Sequence, residues 1–133
     1  MPGAKGPLAG RRILIVEDEF LVAEVMEEWL SGAGAEVIGP VPSVEQALEL
    51  VEEPRKALDG AVLDVNLGRG ETAYPIADRL DERGVPYLFA TGEVRIADDP
   101  DHRKRLHLEK PLTKQMLVSA VERLLAGAPT RSE

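Results

Sequence analysis

The chain has 133 residues, of which 44% are hydrophobic and 30% charged, and its formal net charge is −8. This length and composition fit one globular domain, while the acidic balance argues against broad nucleic-acid binding, which needs a basic surface. The sequence contains no cysteine and no run of about 18 apolar residues, so we expect no disulfide, no thiolate site, no membrane span and a cytoplasmic protein.

The chain begins with a stretch that lacks the apolar centre of a signal peptide, and we interpret residues 1–10 as a flexible lead-in. From residue 11 onward, short apolar runs alternate with segments of helical spacing. The runs are nearly continuous, which is typical of strands buried on both faces of a parallel sheet. They lie at Ile13–Val16, Val37–Ile38, Ala61–Leu63, Tyr87–Ala90 and Leu106–Leu108.

Four of the intervening or following segments carry apolar stripes at helical spacing. These stripes are Val22–Leu30, Val44–Val51, Ala73–Leu80 and Leu117–Leu125. Ser43 and Thr113 are placed to cap helices at their start, and Gly84 is placed to end one. A further segment, Glu93–Arg105, contains Pro100 and few apolar residues, so we expect a weak or mobile fourth helix there.

Five repeats of strand and helix predict an α/β domain with a central parallel sheet and helices on both faces. We place this domain at residues 11–127 and a C-terminal tail at 128–133. In an open parallel sheet, ligands bind beyond the carboxyl ends of the strands. The residues that follow the strands are therefore the candidates for a functional site.

Polar residues stand at the end of four predicted strands. They are Glu17 and Asp18 after the first, Asp64 after the third, Thr91 after the fourth and Lys110 after the fifth. Three carboxylates, a hydroxyl and an ammonium therefore converge on one edge of the sheet. All-oxygen ligands suit Mg²⁺, and a divalent ion offsets the repulsion between adjacent acids.

This set of residues, in this order, resembles the receiver domain of bacterial two-component response regulators. The resemblance covers about Arg12 to Leu125 and implies a flavodoxin-like, doubly wound sheet of five parallel strands in the order 2-1-3-4-5. It also implies that Asp64 is the phospho-acceptor. Thr91 and Lys110 would contact the phosphoryl group, and the bond between Lys110 and Pro111 is expected to be cis.

The same resemblance implies a set of Mg²⁺ ligands. They would be the side chains of Asp18 and Asp64, the backbone carbonyl of Asn66 and, mainly through water, Glu17. The phosphodonor would be a sensor histidine kinase or a histidine phosphotransfer protein.

Two features depart from the common receiver pattern. Many receivers carry an aromatic residue three positions before the lysine, where this chain has His107. The Phe-Ala-Thr-Gly stretch at 89–92 resembles a subgroup of stand-alone alphaproteobacterial receivers, but Glu93 follows it where an aromatic is usual nearby. His107 and Glu93 are therefore candidate relay residues. We expect phosphorylation to pull Thr91 inward and to order residues 93–105.

The function predicted is that of a single-domain response regulator that signals by protein contact or acts as a phosphate sink, rather than that of a turnover enzyme. One alternative is a Mg²⁺-dependent aspartyl-phosphate phosphohydrolase. Asn66 argues against it, because such enzymes commonly carry a second acid there. Another is a degenerate receiver that works without phosphate. Each site residue also has a structural alternative, as a solvated strand end, a turn residue or a surface side chain.

Overall fold

A computed structural model describes residues 6–53, 57–92 and 107–127 of the chain. Five parallel strands form one sheet, in which the strands, numbered along the chain, lie in the order 2-1-3-4-5 that the resemblance to receiver domains implied. The strands are β1 (Arg12–Val16), β2 (Glu36–Val41), β3 (Gly60–Asp64), β4 (Tyr87–Thr91) and β5 (His107–Glu109). Because β1 has β2 on one side and β3 on the other, the winding reverses between β1 and β3.

Four helices are described, and they cover the two faces of the sheet in pairs. They are α1 (Phe20–Gly32), α2 (Val44–Glu52), α3 (Tyr74–Glu82) and α4 (Lys114–Ala126). The helices α1 and α4 pack on one face, and α2 and α3 on the other. Residues 93–105, where the sequence predicted a weak or mobile fourth helix, lie outside the described residues. In the described ranges, no helix has the length and apolar content needed to cross a bilayer.

The central strands are buried on both faces, as their continuous apolar runs predicted. In β1, Leu14 and Val16 face the α2–α3 core, while Ile13 and Ile15 face the α1–α4 core. This alternation follows from the two-residue period of a strand. A charged side chain between two apolar layers would pay a large desolvation penalty. The charged residues therefore follow the ends of these strands, at the edge of the sheet.

The predicted helix signals are confirmed. The Ser43 hydroxyl accepts a hydrogen bond from the backbone N–H of Gln46 at 3.3 Å, and the Thr113 hydroxyl accepts one from Met116 N–H at 3.1 Å. Gly84 follows α3 with φ of +72°, the left-handed conformation that commonly ends a helix.

Residues 6–10 pack against the domain, although the sequence analysis assigned them to a flexible lead-in. Leu8 is fully buried in the α1–α4 core. Its backbone N–H donates to the carbonyl of Ala33 at 2.9 Å, and the N–H of Gly10 donates to that of Gly34. A single leucine among glycines and prolines carries no periodic signal, so only the tertiary structure reveals this contact.

Replacing Leu8 with alanine should lower the free energy of unfolding by about 2–4 kcal/mol, because a buried leucine loses both its transfer energy and its packing contacts. Urea denaturation measures the change. Leu21→Ala is the matched control: Leu21 is 71% exposed, so its truncation should change stability by no more than about 0.5 kcal/mol. Equal effects of the two substitutions would show that the segment around Leu8 does not support the core.

Candidate functional site

Three carboxylates meet where the winding of the sheet reverses. The parallel register pairs Val16 with Leu63, so the next residues along the two strands, Glu17 and Asp64, emerge side by side. Carboxylate oxygens of Glu17, Asp18 and Asp64 lie within 4.8 Å of one another. Glu17 and Asp64 are only 2% and 6% exposed, whereas Asp18 is exposed to solvent.

Lys110 lies among these acids. Its Nζ is 2.7 Å from Glu17 Oε1 and 3.4 Å from Asp64 Oδ2. The second oxygen of Glu17 accepts a hydrogen bond from the backbone N–H of Glu19 at 3.2 Å, so both of its oxygens are engaged. Burial alone would lower the pKa of Lys110, but the hydrogen bond to Glu17 and the charges of Asp64 and Glu17 outweigh it and raise that pKa. The ammonium therefore stays charged.

The carboxyl of Asp64 has a strongly raised pKa. Burial, followed by the negative charge of Glu17, raises its pKa from 3.8 to about 7, although Lys110 acts in the opposite direction. One ammonium therefore does not fully offset the cost of ionising Asp64 next to Glu17. A further cation at this edge would favour the ionised form.

The three acids fit a magnesium ion. They offer carboxylate oxygens, which are the ligands that Mg²⁺ prefers, and their spacing permits shared coordination after small side-chain movements. Asn66 follows Asp64 by two residues, and its backbone N–H donates to Asp64 Oδ1 at 3.4 Å. The structure thus brings Asn66 close to the predicted acceptor.

Thr91 and Lys110 lie at the same edge of the sheet, as predicted. Thr91 ends β4 and is buried, and the register pairs its neighbour Ala90 with Asp64. The backbone carbonyl of Thr91 accepts a hydrogen bond from the N–H of Lys110 at 2.8 Å. The peptide bond between Lys110 and Pro111 is cis, as the sequence analysis expected.

His107 is half-buried and stacks on Phe89. Their ring centroids are 4.9 Å apart with planes inclined by 28°. Phe89 also makes edge contacts with Tyr74 and Tyr87, at centroid distances of 5.8 and 5.5 Å. His107 is thus part of an aromatic cluster that joins α3 to β5. Glu93, the other candidate relay residue, lies outside the described residues.

Backbone and side-chain hydrogen bonds define the loop from Asn66 to Thr72. Asn66 and Thr72 form an antiparallel bridge, and the N–H of Gly68 donates to Asn66 Oδ1 at 3.1 Å. Arg69 adopts φ of +54°, which is uncommon for a residue with a side chain. The signal available in the sequence was the pair of glycines that flank Arg69.

An exposed apolar surface borders the site on α1. Phe20, Leu21 and Val25 are 74%, 71% and 39% exposed. Leu21 and Val25 line a groove of about 520 Å³ between α1 and the loop after β5, whereas Phe20 lies beside Glu17 and Asp18. The groove is lined by Glu19, Leu21, Val22, Val25, Met26, Trp29, Lys110, Pro111 and Leu112. We call Leu21, Val25 and this groove the α1 face. Lys110 belongs to both the groove and the acidic site.

Known structures match this architecture. SdrG from Sphingomonas melonis Fr1 is 39% identical, with a TM-score of 0.75 over 90% of this chain and 98% of SdrG. A response regulator receiver protein from Sinorhizobium medicae WSM419 is 27% identical, with a TM-score of 0.76 over 88% of this chain and 95% of that protein. The chain belongs to the receiver-domain family of response regulators.

SdrG is a single-domain regulator of the Phe-Ala-Thr-Gly type, and this receiver domain carries the same four residues at 89–92. A second SdrG structure, from Pseudomonas melonis Fr1, shows a BeF₃-activated conformation; it is 40% identical, with a TM-score of 0.73 over 88% of this chain and 98% of that protein. Receiver domains are phosphorylatable signalling modules that bind Mg²⁺ at an acidic pocket.

A curated relative is longer than this receiver domain. The transcriptional regulatory protein PdtaR of Mycobacterium tuberculosis is 27% identical over 115 residues, which are 84% of this chain and 55% of PdtaR. The chain thus spans about half the length of this relative. No protein-family model matches the sequence.

The metal-free receiver domain should lose stability as the pH rises from about 4 to about 7, because of Asp64. Its pKa is near 3.8 in the unfolded chain and about 7 in the folded chain. The folded state therefore binds this proton more tightly, so the stabilisation is complete below about pH 4 and lost above about pH 7. One pKa unit corresponds to about 1.4 kcal/mol, and readjustment of Glu17 and Lys110 reduces the expected loss to roughly 1–3 kcal/mol.

Urea denaturation in the presence of EDTA, at several pH values from about 4 to about 8, measures this loss. Asp64→Asn removes the titrating group and should remove most of the slope. Glu49→Gln changes an exposed acid on α2 and serves as the control that keeps the slope. If Asp64→Asn retains the full pH dependence, another group is responsible.

Proposed function

We propose that this receiver domain accepts a phosphoryl group onto Asp64 from the phosphohistidine of a sensor histidine kinase or a histidine phosphotransfer protein. The observation that carries the proposal is the buried Asp64 carboxylate, which contacts Lys110 and lies within 4.8 Å of Glu17 and Asp18. The BeF₃-activated conformation described for SdrG supports it, because BeF₃ mimics a phosphoryl group on a carboxylate.

The transfer requires one bond to form and one to break. A carboxylate oxygen of Asp64 attacks phosphorus, and the bond from phosphorus to the histidine nitrogen breaks, leaving its electron pair on the imidazole. The product is an acyl phosphate on Asp64. Lys110 is placed beside Asp64 Oδ2, where its ammonium offsets negative charge on the transferring group.

The other acidic residues of the site would bind the metal ion or hold Lys110. Asp18 and Asp64, with the carbonyl of Asn66, would hold Mg²⁺, which supplies further charge compensation when bound. Glu17 has one oxygen on Lys110 and the other on the Glu19 N–H, which favours a contact with the ion through water. In effect, Glu17 holds Lys110 in position.

A signalling module is favoured over a phosphohydrolase by Asn66. Its carboxamide cannot act as a general acid, and its Oδ1 is engaged by the N–H of Gly68. Thr91 would bind the phosphoryl group and report its presence. We propose that output follows through protein contact or through the removal of phosphate from a shared pool. The His107–Phe89 stack is the described part of a relay that would include Glu93.

The α1 face is a suitable docking surface for the protein donor. It is continuous with Lys110, so a partner bound there lies next to Asp64. Exposed Leu21 and Val25 supply apolar area, and acids such as Glu24 and Glu28 lie on the same helix. A donor surface that combines apolar and basic side chains would complement this face, and association should weaken with salt.

Asp64→Asn should abolish phosphorylation while the domain remains folded, because the substitution keeps the shape of the side chain and removes the nucleophile. Intact-protein mass spectrometry after incubation with phosphoramidate and Mg²⁺ detects the added phosphoryl group. The control is Glu49→Gln, which should be phosphorylated like the parent. Asp59→Asn would be less suitable, because the Asp59 carboxylate accepts a hydrogen bond from the backbone N–H of Arg12. An adduct of equal yield in Asp64→Asn would overturn the assignment.

Truncating the α1 face should slow transfer from a protein donor and leave the reaction with phosphoramidate unchanged. We expect Leu21→Ala/Val25→Ala to reduce the rate from a kinase or phosphotransfer protein about tenfold, as for hot-spot residues at an interface. Met116→Ala removes from α4 an apolar side chain that is 40% exposed, close to the 39% of Val25, and should have little effect. Equal effects on protein donor and phosphoramidate would show that the face acts on the chemistry and not on docking.

A further inference from the structure

Gly68 lies against the carboxylate of Asp18. A Cβ at position 68 would be 3.3 Å from Asp18 Oδ2, which is closer than most contacts that Cβ atoms make. The same residue has φ of +81°, in the left-handed region that favours glycine. The Asp18 carboxylate therefore occupies space that any side chain at this position would need.

The loop cannot easily move away from Asp18. The N–H of Gly68 donates to Asn66 Oδ1 at 3.1 Å, and the carbonyl of Gly68 accepts from Glu71 N–H at 2.8 Å. The antiparallel bridge between Asn66 and Thr72 joins the two ends of the loop. Because the loop is fixed on both sides of Gly68, a side chain added there would displace the carboxylate of Asp18 instead.

We propose that Gly68 is a positioning residue of the metal site, whose missing side chain leaves the volume in which the Asp18 carboxylate is held for Mg²⁺. This inference rests on the proposed function, in which Asp18 is a metal ligand. Asp18 is exposed, so without metal its carboxylate can turn into solvent at little cost. The effect of a side chain at position 68 should therefore appear in metal affinity more than in stability.

The ion's coordination chemistry makes the effect selective. Mg²⁺ requires nearly ideal octahedral geometry with short bonds, whereas Ca²⁺ accepts longer bonds and irregular geometry. A displacement of a few tenths of an ångström should therefore weaken Mg²⁺ binding more than Ca²⁺ binding.

Gly70 provides a matched control in the same loop. Its φ is +78°, and a Cβ there would meet nothing within 4 Å. Gly68→Ala and Gly70→Ala therefore place a side chain at nearly the same positive φ, and they differ in the contact with Asp18. Arg69, with φ of +54°, shows that this loop accommodates a side chain in the left-handed region.

Calorimetric titration with Mg²⁺ and then with Ca²⁺ tests the proposal. Trp29, the single tryptophan of the sequence, lines the groove with Lys110, so its fluorescence gives a second readout. We expect Gly68→Ala to weaken Mg²⁺ binding about tenfold, as for substitutions next to metal ligands. Gly70→Ala should stay within about twofold of the parent, and Ca²⁺ binding to Gly68→Ala should fall less than Mg²⁺ binding.

Three results would overturn the proposal: Mg²⁺ affinity of Gly68→Ala within about twofold of the parent, equal losses in Gly68→Ala and Gly70→Ala, or equal losses for both ions. If Gly68→Ala does not fold, the pair Gly68→Asn and Gly70→Asn replaces it, since asparagine adopts the left-handed conformation more readily.

Asp18→Ala separates this inference from the proposed function. If Asp18→Ala binds Mg²⁺ as tightly as the parent, the ligand assignment in the proposed function fails and the inference fails with it. If Asp18→Ala loses most binding while Gly68→Ala loses none, the role assigned to Gly68 alone is wrong.

Discussion

The ion pair that joins Lys110 to the buried carboxylates of Glu17 and Asp64 is the constraint on which the rest of the site depends. The parallel register of β1 and β3 places the two acids side by side, and the apolar layers on both faces of the sheet withhold water from them. Two like charges in such a place are unfavourable unless cations accompany them. Lys110 reaches them from the end of β5, so the outermost strand of the sheet must be in place before the central acids are compensated.

The compensation is incomplete, and this has a functional consequence. One ammonium faces two buried carboxylates, and the pKa of Asp64 remains raised to about 7. The domain therefore carries an electrostatic penalty that a divalent cation would relieve. The free energy that this uncompensated charge costs the folded domain would favour the binding of a cation, and such a loss of stability is common at functional sites. Because Glu17 is held by Lys110 and Glu19, the carboxylates of Asp18 and Asp64 are the ones left to adapt.

The parts of the site differ in rigidity according to the elements that carry them. Asp64 and Thr91 end strands that are buried throughout, so their positions are fixed by packing. Asp18 is exposed beyond the end of β1, and the loop around Gly68 limits where its carboxylate can lie. The α1 face lies beside Lys110, so the proposed phosphoryl transfer and the proposed docking of a partner would meet at one residue.

The strands and most residues of the site could be predicted from the sequence, because the patterns that indicate them are local and recur along the chain. Continuous apolar runs define strands that are covered on both faces, and a parallel sheet brings the carboxyl ends of its strands to one edge. The order of Glu17, Asp18, Asp64, Thr91 and Lys110 along those strands was therefore enough to predict the fold, the cluster of acids and the family.

Other features depend on contacts between segments that are distant in the sequence, and only the tertiary structure decided them. The burial of Leu8 against α1, the stacking of His107 on Phe89 and the partition of Glu17 and Asp18 into buried and exposed acids have no periodic signal. The same holds for the observation behind the proposed role of Gly68. Its glycine is visible in the sequence as a turn residue, but its contact with Asp18 joins residues 50 positions apart, and only the folded chain brings them together.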